Sequence, residues 1–536
     1  MGDKQGEGDI LGNLGISYNF LSNYPKAIEY YQQHLEIARE IKDKEGEGIS
    51  LNNIGDMFAN QKQAELAILY YKQCINLHES IRKDIRQLDK QDRKFYLNSV
   101  TGSYQRLAEL LLKQGRIIEA LQVLDLLKVQ ELDDYLKNIK GNDRTSQGLR
   151  LLEPEKAASD KLLAISFEQI PELNHQLANQ IRQLPKSEID KPPEYLQNLP
   201  QGTALLYPLI LEDRLEIILF APNSPAIHHT VNIKKADLEE RIGQFYADFQ
   251  DSNSLDVKES SKKFYDVLIK PIGEDLIQIK ANTILFAPDG KLRYIPIAAL
   301  YDGKQWLVEK YRIDNLIAYS LFDQNSKPQS NPSIFAGAFG NGNKGNTEFK
   351  PLPATITEVN SIKSSFPNTT KITEQNFTAE ASKNKAVGNT IIHLATHALF
   401  QSGSPLNSYI LFGDGSKVTL SAISDWNLKN VDLVVLSACQ TGLGTSSNGA
   451  EILGFGYQVQ KAGAKASIAS LWTVSDGGTQ LLMQAFYENL KKGSPSLSTS
   501  LRDAQLSMIH RPVKDGEINF NHPYYWAAFV LIGNGL

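Results

Sequence analysis

Two kinds of hydrophobic periodicity divide the chain. Through about residue 137 the apolar positions recur at helical spacing, and the text repeats itself. DKQGEG at 3–8 returns as DKEGEG at 43–48, Asn13-Leu14-Gly15 as Asn53-Ile54-Gly55, and Ala27-Ile28 with Tyr30-Tyr31 as Ala67-Ile68 with Tyr70-Tyr71. Every offset is 40, and a fixed period in this range, carried by two helical stretches per unit, predicts a solenoid of helix pairs. Gly15 and Ala27 let two antiparallel helices approach closely, while Tyr18, Tyr30 and Tyr31 fill the space between units. A third unit shows the same relation at Leu107-Ala108 and Ala120-Leu121 but lies 53 residues on, which predicts lengthened helices around 81–96. The chain opens inside what is elsewhere an inter-repeat linker, without a polar cap; the expectation is that further repeats precede Met1 in the parent protein, or that the gene is a shortened version.

The pattern then changes. Residues 138–200 mix a loop (GNDRTSQG), a helical stretch at 153–184 and a run rich in Pro and charge, which reads as a helical linker. Beyond it, 203–220 predicts two strands around Glu212-Asp213, and 283–295 (TILFAPDGKLRYI) two more around the turn Pro288-Asp289-Gly290, with helices at 236–249 and 260–276 between them. Strands and helices alternate again at 333–338, 356–365, 390–395, 431–436, 466–471 and 529–532. That order argues a largely parallel sheet with helices on both faces.

Composition narrows the function classes. At 536 residues the chain exceeds one core, and its net charge of −5, with both signs spread throughout, gives no basic footprint for nucleic acid and no polybasic membrane patch. The N-terminal stretch MGDKQGEGDILGNLG has neither a basic segment nor an apolar core of a signal peptide, and no run reaches the roughly 18 apolar residues of a membrane span. A cytoplasmic protein is expected. Two distant cysteines, Cys74 and Cys439, and nine scattered histidines argue against a disulfide scaffold and a structural zinc site. GNGNKG at 340–345 satisfies a dinucleotide-binding pattern, but two prolines stand where the phosphate-binding helix would begin. No metal and no cofactor are expected.

Candidate chemistry gathers at two strand ends, where α/β sheets build their sites. In VDLVVLSACQTGLG (431–444) the apolar run Val434-Val435-Leu436 breaks into Ser437-Ala438-Cys439 and a glycine-bearing loop, followed by a helical stretch at 451–461. In TIIHLA (390–395) the strand stops at Thr396-His397-Ala398. Parallel neighbours would bring His397 beside Cys439, making a nucleophile and its base. A thiol near its ordinary pKa of about 8.5 is only partly ionised at neutral pH, so an adjacent imidazole supplies what it lacks. Read from the residues alone, Cys439 is either this nucleophile or a buried, inert thiol. Cys74 occupies the position of His34 one repeat earlier and reads as packing. His393 lies four residues before His397, on the same face but deeper.

Several segments carry a resemblance. HLATH followed about forty residues later by SACQTG, with SLWTVSD (470–476) and HPYYWAAFVLIG (522–533), resembles the CHAT domain family, the caspase-like and separase-like cysteine peptidases. The repeats resemble a longer-period tetratricopeptide array. The resemblance implies a multidomain chain: an all-α tetratricopeptide solenoid at 1–137, the linker at 138–200, then an α/β caspase-like domain with a degenerate half at 201–330 and an active half at 331–536. It implies Cys439 as nucleophile and His397 as base, with His393 supporting. The backbone N–H groups of Cys439 and Ala398 are then the oxyanion donors. Ala398 departs from the glycine common at that point, and a positive φ there would strain it. Trp472 and Asp476 are placed where such folds line the substrate cleft. Asp476 then selects a basic side chain or caps the following helix, the cap being favoured, and Asp414 and Asp432 are weaker pocket candidates.

The implied function is a regulated cysteine endopeptidase that cleaves a protein substrate through an acyl-thioester and needs no metal. An activator or substrate protein would bind the repeats, in settings that include bacterial defence. Two alternatives stay open: a non-catalytic scaffold with a vestigial dyad, and a different thiol hydrolase or acyltransferase on the same residues.

Overall fold

The computed structural model describes residues 3–84, 90–136, 148–162, 165, 167–321, 332–341, 349–401, 407–437, 440–441, 449–513 and 516–535. With 135–137 excepted, they form two compact units, one ending at Pro193 and the other beginning at Glu194.

Six helices build the repeats of the first unit: α1 (Lys4–Phe20), α2 (Tyr24–Ile41), α3 (Lys44–Asn60), α4 (Ala64–Asp84), α5 (Lys90–Lys113) and α6 (Ile117–Leu136). The sequence period is a period of local chemistry. Asp3 caps α1 by accepting from the N–H of Gly6, and forty residues on Asp43 caps α3 by accepting from Glu45 and Gly46, satisfying N–H groups that the first helical turn cannot. Gly15 and Gly55 lie under the rings of Tyr31 and Tyr71, where a β-carbon would stand 2.5 and 3.0 Å from ring carbons. Tyr18 and Tyr30 stack at 5.3 Å. The helices on either side of the junction between the second and third units are lengthened, as the spacing predicts: α4 and α5 have 21 and 24 residues, against 17 or 18 in the first three helices.

Part of the segment read as a linker folds onto the repeats. Helix Glu153–Leu162 places Glu155, fully buried, against Lys72 of α4 and Arg116, just before α6. Arg116 also holds Glu65 at 2.8 Å and Glu119 at 2.7 Å, and Lys72 holds Glu119. Five charges are thereby buried as a mutually paired cluster. Burial raises the Glu65 carboxyl, its neighbour Arg116 opposing, while Lys72 and Arg116 pull Glu119 below the usual range against burial.

The second unit is α/β. Its strands are β1 (Thr203–Ile210), β2 (Leu215–Phe220), β3 (Ile227–Val231), β4 (Thr283–Phe286), β5 (Arg312–Asn315), β6 (Ile334–Ala338), β7 (Thr370–Thr373), β8 (Ile391–Ala395), β9 (Ala398–Phe400), β10 (Tyr409–Leu411), β11 (Lys417–Thr419), β12 (Leu433–Leu436), β13 (Gln440–Thr441), β14 (Ala466–Ser470) and β15 (Phe529–Gly533). Eleven of them form one sheet in the order β3-β2-β1-β4-β5-β15-β14-β12-β8-β6-β7, and β11-β10-β9-β13 form a second. Outside the antiparallel strands β2 and β3 at one edge, the large sheet is two parallel blocks. β1, β4, β5 and β15 run one way, β14, β12, β8, β6 and β7 the other, and they meet at the antiparallel pair β14/β15. The central strands β4, β6, β8, β12, β14 and β15 are buried at every position, which is why they read as unbroken apolar runs rather than alternations.

Two of the expected elements take another form. The stretch 283–295 gives one strand, β4, and then a 3₁₀ turn at Gly290–Tyr294 in place of a second strand. β4 is already paired on both sides, by β1 and β5, so no edge remains for a hairpin partner. Asp289 instead accepts from the N–H of Ile210, and Gly290 takes a left-handed φ of 49°. The helix expected at 260–276 is broken at Pro271 into Val257–Leu268, a 3₁₀ turn and Gly273–Gln278, as a missing N–H demands. Among the described residues no helix is long and apolar enough to cross a membrane.

Candidate active site

β8 is held between β6 and β12, with Ile391 opposite both Ile334 and Leu433. At its end Thr396 donates its hydroxyl to the carbonyl of Leu411, and the chain leaves the large sheet to become β9 of the small one. His397 occupies that joint. Its Nε2 lies 2.7 Å from the carbonyl oxygen of Lys350, to which it donates, and its ring packs against Phe349 at 5.2 Å. In the neutral imidazole this bond fixes the Nε2–H tautomer and leaves Nδ1 as the basic nitrogen; Nδ1 has no hydrogen-bond partner among the described residues. Burial lowers the His397 pKa, opposed by the Lys350 carbonyl and by the negative charge of Asp476.

Cys439 lies outside the described residues. Its described flanks do not. β12 runs parallel to β8, and Ser437, the next residue, donates its N–H to the carbonyl of Leu394 at 3.1 Å. On the other side Gln440 and Thr441 form β13, paired in parallel with Leu399 and Phe400 of β9. Only Ala438 and Cys439 separate Ser437 from Gln440.

Ala398 is extended and absent from the residues of positive φ, so alanine brings no backbone strain there. Leu411 donates to the carbonyl of His397, which makes 397/411 a bonded pair of the antiparallel β9/β10 ladder and 398/410 the next, non-bonded one. The N–H of Ala398 is therefore turned away from β10, to the side on which β13 lies.

Asp476 is the first residue of helix Asp476–Lys491, but that helix is capped by Ser475, whose hydroxyl accepts from Gly478. The Asp476 carboxylate reaches across to helix Pro353–Ser365 and accepts from the N–H of Ala354 at 2.7 Å. The expectation that Asp476 caps the helix that follows it is thereby corrected: Ser475 does that, and Asp476 serves the start of a helix 122 residues away. Burial raises its pKa, with the Ala354 N–H and His397 opposing.

The CHAT domain family profile matches residues 258–534, more than half of the chain. The chain belongs to the CHAT domain family. A tetratricopeptide repeat profile matches residues 7–80. Among curated proteins, mouse tetratricopeptide repeat protein 28 is 23% identical over 343 residues; the match takes in 53% of this chain and 13% of that protein. The Arg-specific cysteine proteinase gingipain R is 11% identical over 56% of this chain and 74% of its own, with a TM-score of 0.33. Separase of Saccharomyces cerevisiae, in its complex with securin, is 9% identical over 99% of this chain and 47% of its own, with a TM-score of 0.40.

None of the remaining candidates contacts His397 among the described residues. Trp472 is 1% exposed; its indole N–H donates to the carbonyl of Tyr524, and its ring meets Tyr246 and Phe249 edge-on at 6.1 and 6.0 Å. It belongs to the core between β14 and helix Lys235–Gln250. Asp414 is exposed in the β10–β11 turn, accepting from the N–H and hydroxyl of Ser416. Asp432 precedes β12, at the end of the strand opposite Ser437, and pairs with Lys465 at 2.6 Å. His393 is fully buried, with Nε2 2.6 Å from Glu358 and Nδ1 3.0 Å from the Tyr487 hydroxyl. It ties two helices to β8 and does not reach the strand tip.

The sequence pattern missed the segment that completes the CHAT histidine's surroundings. Lys350 acts through its carbonyl, which any residue has, so no side-chain signal marks it. Phe349, Tyr409 and Lys417 are likewise unsignalled; the Lys417 ammonium stands over the two rings at 5.3 and 4.3 Å.

Proposed function

We propose that this chain is a regulated cysteine endopeptidase in which Cys439 is the nucleophile and His397 its base. The observation that carries the reading is His397: its Nε2 is committed to Lys350, its Nδ1 is left over, and it stands where β8 leaves the sheet. The covalent link that contains Cys439 begins beside Leu394 and ends beside Leu399, on either side of that histidine.

The chemistry follows from these groups. Nδ1 takes the thiol proton as sulfur attacks a peptide carbonyl, and the oxyanion is received by the N–H groups of Ala398 and Cys439. The imidazolium returns the proton to the departing amine, leaving an acyl-thioester that water hydrolyses with His397 again as base. Residues 331–536 carry this chemistry and 201–330 brace it. The support is the Tyr294 hydroxyl bonded to Glu451 of helix Ala450–Lys461, and the pairing of β15 with β5. The repeats receive an activator or substrate protein.

Labelling with an electrophilic active-site probe tests the reading. Cys439→Ala abolishes labelling and His397→Ala lowers it by about 10²-fold or more. Cys74→Ala leaves it unchanged, because the Cys74 thiol, though 3.1 Å from His78, is fully buried and pushed up to about 12, while burial takes His78 down to about 4. A Cys439 that labels only after denaturation overturns the peptidase reading for the isolated chain and favours a scaffold.

A further inference from the structure

We propose that Asp476 is a positioning residue for His397, pinning the segment whose Lys350 carbonyl orients the imidazole and placing a negative charge beside the ring. The role deepens the peptidase reading and rests on it.

Three observations converge. First, Asp476 is released from the duty its position suggests. Ser475 already caps helix Asp476–Lys491, so the carboxylate of the next residue is free to act elsewhere. Second, it acts on the segment that holds the base. Helix Pro353–Ser365 has no side-chain cap of its own at Leu352, and Asp476 supplies the missing acceptor to Ala354. Four residues before Ala354 is Lys350, whose carbonyl accepts the hydrogen bond from the His397 Nε2–H, and between them Leu352 donates its N–H to the carbonyl of Gly340 at 2.8 Å. The short stretch 349–354 therefore has two anchors, Gly340 and Asp476, and presents one carbonyl to the histidine. Third, the second carboxylate oxygen of Asp476 has no hydrogen-bond partner among the described residues, and its charge is the one side-chain charge among them that acts on His397. Lys417 is held over the rings of Phe349 and Tyr409, and the thiol of Cys439 completes the titratable groups of the reading.

The consequence is electrostatic as well as geometric. When sulfur loses its proton to Nδ1, an S–H bond breaks, an N–H bond forms, and a half-buried imidazolium appears beside a thiolate. Burial opposes that charge; a fixed carboxylate nearby offsets the opposition without moving. A merely structural cap would hold the segment and leave the titration of the ring alone.

Two substitutions separate these contributions. Asp476→Asn keeps an acceptor for Ala354 and removes the charge; Asp476→Ala removes both. The readout is the pH titration of the His397 imidazole by NMR in the full chain with ¹³C-labelled histidine, its signal assigned with His397→Gln. Asp476→Asn is expected to move the His397 titration to lower pH and to slow probe labelling of Cys439 at pH 7 by roughly three- to tenfold. Asp476→Ala slows it further, by about 10- to 100-fold, and Asp476→Glu restores the titration in part. An unchanged His397 titration in Asp476→Asn overturns the inference. Absence of His397-dependent labelling in the unsubstituted chain overturns the peptidase reading instead, and the titration still decides whether Asp476 governs the ring.

Discussion

Asp314 shows what a single side chain can impose on this fold. It sits in β5, fully buried, with one oxygen accepting from the Ser498 hydroxyl and the other without a partner among the described residues. Burial raises its carboxyl to about 7, with Ser498 and Arg312 opposing. An unfolded chain releases that proton near pH 3.9. The native state therefore holds a proton the unfolded state has lost, and stability is full below about pH 4 and declines as pH rises to about 7. Three units correspond to about 4 kcal/mol. All four tryptophans, Trp306, Trp426, Trp472 and Trp526, lie in the second unit, so urea unfolding followed by their fluorescence reads that unit alone. The midpoint is expected to fall between pH 4.5 and 7, and Asp314→Asn to flatten the slope; identical slopes in the two proteins would contradict the assignment. The two histidines of β8 and its tip make the same point about context. His393 and His397 are four residues apart in the sequence, yet one is enclosed by Glu358 and Tyr487 and the other faces the strand end. The apolar run before them made the strand legible. The full burial of one and the half-burial of the other came from segments distant in sequence.

At the scale of elements, the cluster of Lys72, Arg116, Glu65, Glu119 and Glu155 decides how helix Glu153–Leu162 attaches to the repeats. Arg116 contacts three of the carboxylates. Arg116→Met leaves them around a single cation, and breaking such buried pairing costs about 3–5 kcal/mol. Hydrogen exchange should accelerate in 153–162 and in the N-terminal turns of α4 and α6, while exchange in α1 and α2 stays as it was. Unchanged protection in 153–162 would show that its apolar contacts suffice. Nothing in the sequence announced this cluster, because each charge reads as a solvated position on its own helix. The period of 40 was legible for the opposite reason: its caps and its Gly–Tyr contacts are local and repeated. The second strand expected after Asp289 failed because a turn signal describes only the turn, and the edges of β4 were taken by β1 and β5, 70 or more residues before it and about 30 after.

For the whole molecule, the feature that matters is β15. It pairs with β14 over five positions and touches β5 at Ile532, so one late strand joins two blocks of opposite direction. The α/β class could be read from alternating runs; the order of strands could not, since pairing between distant segments leaves no local mark. Deleting 529–535 exposes the edges of β5 and β14 together. The shortened chain is expected to lose the fluorescence transition of the second unit and to be cut by protease throughout 203–513, while fragments of the repeats persist; a protected second unit would show that the two blocks stand alone. Translation adds a dimension of time. The strand that completes the sheet follows Cys439 by about 90 residues, or about 5–20 s of synthesis. A nascent chain thus holds β8 and β12, the strands that flank the candidate site, before the strand that joins the two blocks exists, so the order of synthesis keeps the large sheet open at β5 and β14 until β15 emerges.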